Sequence, residues 1–189
     1  MKTILLSILA TLSFNTVQAQ QTDPWVAYMT PNEVHRMLSE YTGNFDVEIS
    51  MWATEGKAPV KVKVAANNQM ILGGRFLEVR QSGIMMDMDY QSITILGYNT
   101  SGKKMDLTSV TNMGTGILFL SGAWNPSTKI ATLSGQMNSP DGGKTIRIIQ
   151  VLRFIDKNTL VIQNIDQADG QKPRKTIEYK MTRAPAETK

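Results

Sequence analysis

One histidine, His35, and no cysteine stand in a chain of 189 residues, and that shortage limits the chemistry the sequence offers. A Ser-His-Asp triad could draw its base only from His35. Zinc needs three or four good ligands, so a lone imidazole without thiolates would have to be completed by carboxylates. A proximal haem ligand could likewise come only from His35. His35 lies beside Arg36 on a short helical segment, partly opposite its apolar side, and reads as a solvated side chain. Carboxylates pair at Asp46 and Glu48 and at Asp87 and Asp89. Glycosidic acid-base chemistry needs two carboxyls facing across a cleft with their pKa values pushed apart. The first pair instead falls on the polar side of a strand and the second at a turn. No phosphate-binding glycine loop is present. The residues assemble no catalytic set and imply no cofactor.

Methionine is the remaining type with a chemistry of its own. Met85, Met86 and Met88 crowd the stretch GIMMDMDYQS, and Met29, Met37, Met51, Met70, Met105, Met113, Met137 and Met181 lie outside it. Thioethers select reduced copper, yet the close spacing stops after Met88. Methionine also fills irregular cores and lines sites that accept varied apolar ligands. Three readings follow in descending order: hairpin packing over a barrel mouth with Asp87 and Asp89 in water, contact with an apolar ligand, and copper.

The elements that must position these residues follow from periodicity. Thr30 as N-cap, Pro31 in the first turn and Glu33 completing a capping box predict one short helix, with Val34, Met37, Leu38 and Tyr41 on one face and Gly43 ending it. From Phe45 the period changes to two: Phe45, Val47, Ile49 and Met51 alternate with Asp46, Glu48 and Ser50. Further strands are predicted at about 60–70, 74–82, 90–98, 104–112, 116–124, 130–137, 144–156, 159–166 and 173–182. Short joints such as Gly73-Gly74, Ser101-Gly102, Asp141-Gly142-Gly143 and Asp169-Gly170 can link only antiparallel neighbours. A meander of about ten strands must stack or close, and closure alone removes both edges. The expected fold is all-β, an antiparallel up-and-down β-barrel with a short N-terminal helix across one end.

The ends and the charge set further bounds. Lys2, an apolar run from Ile4 to Leu12, and small Val17 and Ala19 predict a secretory signal peptide cut after Ala19. The run is far short of the roughly 20 residues a bilayer-spanning helix needs. Without cysteine there is no lipid attachment at the cleavage point and no disulfide. The expected location is therefore periplasmic or secreted. The expected organisation is a signal peptide over 1–19, a lead over 20–29, one barrel domain over 30–183 and a tail over 184–189. A net charge of +4 is a small surplus of 20 bases over 16 acids. The densest basic run, Lys172 to Lys175, contains no aromatic residue on which a base could stack, so no nucleic-acid partner is expected.

The motifs ILGGRFLEV (Ile71 to Val79), GIMMDM, GYN (Gly97 to Asn99), NMGTGI (Asn112 to Ile117), LSGQM (Leu133 to Met137) and DGGKT (Asp141 to Thr145), in this order and spacing, resemble a bacterial family called domain of unknown function 1579 over roughly residues 30 to 183. The resemblance implies a lipocalin-type or calycin-like barrel and no defined activity. This chain departs from the family pattern where Gly43-Asn44-Phe45 replaces Gly-x-Trp. It departs again where Asp87, Asp89 and Tyr90 stand about where glycine, proline and phenylalanine are usual, and near Ser109, where a tryptophan is expected. If Ser109 points inward, a ring has been exchanged for a hydroxyl, leaving room for water or part of a ligand.

Arg75 alternates in phase with Leu77 and Val79, and Arg153 with Ile149 and Val151. An inward arginine would need an anionic partner such as a ligand carboxylate; outward placement beside Glu78 or Glu178 is the plainer reading. The expected function is binding of a small apolar or amphipathic molecule inside the barrel, with Met51, Arg75, Leu77, Met105, Ser109, Phe119, Arg153 and Tyr179 as candidate lining residues. The alternative is a cell-envelope interaction or structural module, suggested by strands apolar on both sides. A cavity enzyme using carboxylate or tyrosine acid-base chemistry comes third.

Overall fold

A computed structural model describes residues 23–185; the expected signal peptide lies outside them. Two short helices come first. Asp23 accepts a hydrogen bond from the Trp25 N–H and Pro24 occupies the first turn of α1 (Pro24–Met29). Sequence reading treated this segment as lead and missed the helix, although an aspartate followed by proline is a helix-start signal. In α2 (Glu33–Ser39) the cap is Asn32, not Thr30, and the reciprocal partner is His35, not Glu33.

Ten strands follow: β1 (Gly43–Met51), β2 (Val60–Ile71), β3 (Phe76–Met85), β4 (Met88–Asn99), β5 (Lys104–Thr111), β6 (Leu118–Asn125), β7 (Ile130–Asn138), β8 (Thr145–Asp156), β9 (Thr159–Ala168) and β10 (Arg174–Arg183). Each pairs antiparallel with the next, and β10 returns to β1 to close the barrel. The meander inferred from short turns is the observed topology. No helix among the described residues is long and apolar enough to cross a membrane. On the outer face of β1, β2 and β10, Asp46, Lys61, Lys63 and Lys180 are exposed, and Lys61 pairs with Glu48 at 2.8 Å.

The interior has two halves. At the helix end, Leu38 of α2 and Tyr41 descend onto Phe45, Leu77, Leu96, Met105, Leu120, Leu133, Leu152, Phe154, Leu160 and Met181, all buried in one cluster. The Tyr41 hydroxyl donates to the Asp156 carbonyl at 2.7 Å, and Asn68 Nδ2 donates to the Tyr41 carbonyl at 2.9 Å. Asp156 borders the bulge in the β8–β9 pairing, so Tyr41 satisfies an acceptor beside the disrupted ladder. Burial pushes the Tyr41 phenol up to about 12, with Asp156 and Glu40 adding to the rise, so it stays a donor throughout the physiological range. Arg183 closes the same end. Its guanidinium donates to the carbonyls of Glu40, Thr42 and Lys157 and to Asn158 Oδ1, and it stacks 4.7 Å above the Phe45 ring.

His35 belongs to this seal, which corrects its reading as a solvated residue. It is buried, and its Nδ1 accepts from the Asn32 N–H at 3.0 Å. Burial lowers its pKa from the usual 6.5; a hydrogen bond that the ring donates to the Tyr98 backbone opposes the shift and the charge of Arg75 adds to it. The ring is thus neutral in the fold, while the unfolded chain takes up a proton near 6.5, so below that pH the unfolded state binds more protons. The stabilisation from neutral His35 is present above 6.5 and is lost as pH falls through the folded value. We expect the melting temperature to fall from pH 7 to pH 5 more steeply in the wild type than in His35→Gln. Glutamine keeps an acceptor for the Asn32 N–H. Parallel pH profiles of the two proteins, followed by thermal melts, would refute this assignment.

Candidate functional site

In the half of the barrel away from α2, polar side chains line part of the inner wall. A cavity of about 50 Å³ is walled by Gln81 of β3, Tyr90, Ser92 and Thr94 of β4, Leu107 and Ser109 of β5, Gln150 of β8, Ile162 of β9 and Tyr179 of β10. Cross-strand register brings them together: Thr94 faces Ser109, Gln81 faces Ser92, and Tyr179 faces Ile162. Leu107 and Ile162 adjoin the sealed apolar half, and the remaining walls carry hydrogen-bonding groups. The Tyr90 hydroxyl donates to Gln81 Oε1 at 3.2 Å, and the hydroxyls of Thr94 and Ser109 share a 2.9 Å bond.

Burial raises the pKa of Tyr179, and the nearby Tyr90 and Asp166 raise it further. Burial also raises that of Tyr90, against a hydrogen bond from Ser92. Both phenols are therefore neutral donors at physiological pH. Beside the cavity, Gln150 and Asn164 face each other across the β8–β9 ladder. Gln150 Oε1, Asn164 Oδ1 and Asp166 Oδ1 are buried without a hydrogen-bond partner. A buried acceptor left unmade costs about 1–3 kcal/mol, so such groups call for water or a ligand donor. Burial raises the pKa of Asp166, with the Thr176 hydroxyl and the Arg174 charge opposing. Arg174 itself donates to the carbonyls of Trp52 and Ala53.

Toward the open end, methionines gather at the strand ends. Met51 ends β1, Met85 ends β3, Met88 starts β4, Met113 follows β5 and Met137 lies near the end of β7. Met85 is buried, whereas Met86 and Met88 are 60% and 52% exposed. Met86 and Asp87 form the two-residue hairpin turn, at φ of 51° and 59°. Both central residues lie in the left-handed region of a type I′ turn, where a Cβ is strained. The crowded stretch is thus a hairpin turn, at the end of the barrel opposite α2, with Met85 turned in and Met86 and Met88 exposed. Among the described residues no group of three or more His, Asp or Glu side chains could hold a metal ion.

The eight residues singled out from sequence divide sharply. Ser109 and Tyr179 line the cavity. Met51 is half-buried at the mouth, opposite Ile177. Leu77 and Met105 point inward but are 0% exposed in the sealed half, away from the cavity. Phe119 faces outward and is 56% exposed, because Leu118 and Leu120 take the inward positions of β6. Arg75 falls in the turn before β3 and donates to the carbonyls of Leu72, Gly73 and Met29. Arg153 lies outside the barrel and donates to Gln163 Oε1, which links it through Gln163 Nε2 to Glu178. Both arginines take the outward reading, so neither can meet a ligand carboxylate inside.

A family described as protein of unknown function (DUF1579) matches residues 30–183. The chain belongs to the DUF1579 family. No curated protein matches it. In this DUF1579 barrel, Ser109, near which the family resemblance leads one to expect tryptophan, lies on the cavity wall. Asp87, about where glycine is usual, carries the left-handed backbone that glycine would adopt without strain. Of the seven cavity residues that sequence reading missed, Gln81, Ser92 and Gln150 share one signal: each is a polar residue in phase with an apolar stripe, as in Leu77, Val79, Gln81.

Proposed function

We propose that this DUF1579 barrel is a secreted or periplasmic small-molecule binding protein whose ligand is amphipathic, with a compact polar head in the cavity and an apolar part toward the methionine mouth. The observation that carries this reading is the cavity itself: a pocket on the inner wall where seven of nine lining residues can hydrogen-bond. A space of about 50 Å³ exceeds the roughly 10–15 Å³ needed for one water and falls far below the 300–1,000 Å³ that encloses a drug-sized ligand. It suits a head group rather than a whole molecule. The polar wall moves the reading from a largely apolar ligand to an amphipathic one. The signal-like first residues support the location. Acid-base catalysis fits less well, because Tyr90 and Tyr179 are both pushed away from ionising.

Thermal melts of the protein with an organic extract of its host's envelope test the proposal. A saturating ligand should raise the melting temperature by about 5–10 °C, since 100-fold excess over Kd is worth about 2.7 kcal/mol. The same extract should give a much smaller rise on Gln150→Leu combined with Tyr179→Phe. If no fraction shifts the wild type, the binding reading is wrong.

A second reading, an envelope interaction module, draws on the outer face of β4, β5 and β6. Ile95, Thr108 and Phe119 form one cross-strand row, and Ile93 faces Val110 in the next. Sedimentation showing a monomer at high concentration and no partner would remove it.

A further inference from the structure

Resting on the binding reading above, we infer that the head group is uncharged and both donates and accepts hydrogen bonds, so that the barrel takes a neutral amphiphile such as a long-chain alcohol in preference to a fatty acid or an alkylamine.

No residue lining the cavity carries a formal charge. The cations that could meet a carboxylate are committed elsewhere: Arg75 and Arg153 outside the barrel, Arg174 on the carbonyls of Trp52 and Ala53, and Arg183 at the sealed end. A carboxylate would enter a buried site without a counter-ion, which is strongly unfavourable. An ammonium fares no better. Asp166, two residues past Asn164 on β9, is the acid whose charge reaches Tyr179 on the cavity wall, and it already feels the Arg174 charge.

The lining is also mixed in hydrogen-bonding character. Gln150, 7% exposed, has an Oε1 that lacks a donor, while the phenol of Tyr179 on the same wall, kept neutral by burial, is a donor. A carboxylate supplies no donor and an ammonium no acceptor, whereas a hydroxyl supplies both. Beyond the head, the register places Met51, Met85, Met88 and Met137 opposite Ile177, each other and Ile146. Unbranched thioethers of this kind adapt to a flexible chain.

Decanol, decanoate and decylammonium share one chain and differ in the head, so calorimetric titration of the whole protein with each, below micelle-forming concentrations, reads the head alone. Decanol should bind at least about tenfold tighter than both ions. Gln150→Glu should move the preference toward decylammonium, and Met88→Asp, an exposed position whose change leaves the fold intact, should weaken decanol about tenfold. Tighter binding of decanoate or decylammonium by the wild type overturns this inference and leaves the binding reading standing. Failure of all three to bind also overturns it, and the extract melts then decide separately whether the barrel binds anything. Unchanged decanol affinity in Met88→Asp would remove the methionine mouth from the site.

Discussion

Gly122→Ala should cost the barrel at least about 4 kcal/mol, a large share of the roughly 5–15 kcal/mol that holds a domain folded. Gly122 of β6 points inward opposite Leu133 of β7. A Cβ there would run into the carbonyl oxygen of Thr132 and sit 2.8 Å from the Leu133 Cα. Both obstacles are backbone in the paired strand, so relief requires breaking the β6–β7 ladder rather than turning a side chain. Gly135 meets the same obstacle from the other strand, against the Phe119 carbonyl. The two glycines let β6 and β7 approach at a tight bend, as strand glycines commonly do where backbones come close. Gly114, around which a Cβ would find nothing within 4 Å, is the control: Gly114→Ala should change stability by less than about 0.5 kcal/mol. Urea denaturation of the wild type and the two variants checks the expectation, and a Gly122→Ala protein as stable as the control would refute the close approach.

Arg183→Met should cost about 2–4 kcal/mol, and Arg183→Lys should recover little of it. One guanidinium joins the end of α2, through the Glu40 and Thr42 carbonyls, to the β8–β9 turn, through the Lys157 carbonyl and Asn158 Oδ1. Methionine preserves part of the packing on Phe45 but leaves these acceptors without their charged donor. Lysine keeps the charge and loses the planar fork that spans both segments. Because this end seals the barrel far from the cavity, the variants should lower the melting temperature without altering the ligand-induced rise. A lysine variant with wild-type stability would show that charge alone, not the fork, holds the end shut.

The fold was legible because ten strands with short turns leave closure as the economical topology, and the predicted segments agree with the observed strands to within a few residues. The site was legible only in part, for a physical reason: β8 and β9 carry apolar residues on both faces. Ile149 and Val151 make as good a stripe as Ile148 and Leu152, so phase could not tell inside from outside. Arg153 was accordingly placed with the outer stripe as a lining candidate, while Gln150 and Asn164 on the inner stripe were passed over. Arg75 lies in the turn instead of the strand stripe, since β3 begins one residue after it. Ser109 lies on the cavity wall, the inward placement considered for it because the family resemblance leads one to expect a tryptophan near that position. The parts His35 and Arg183 play in the seal were not legible, because most of their partners are backbone groups supplied by the caps and turns, which no side-chain pattern announces.

Ser109 also offers the most direct test of the central claim. Native mass spectrometry should be run on wild-type protein and on Ser109→Trp, each purified gently from the native host. The cavity reading predicts a reproducible extra mass on the wild type, released on denaturation, and a bare mass on a folded Ser109→Trp whose indole occupies the space. A bare wild type, or the same adduct on both proteins, would contradict a ligand bound in this cavity.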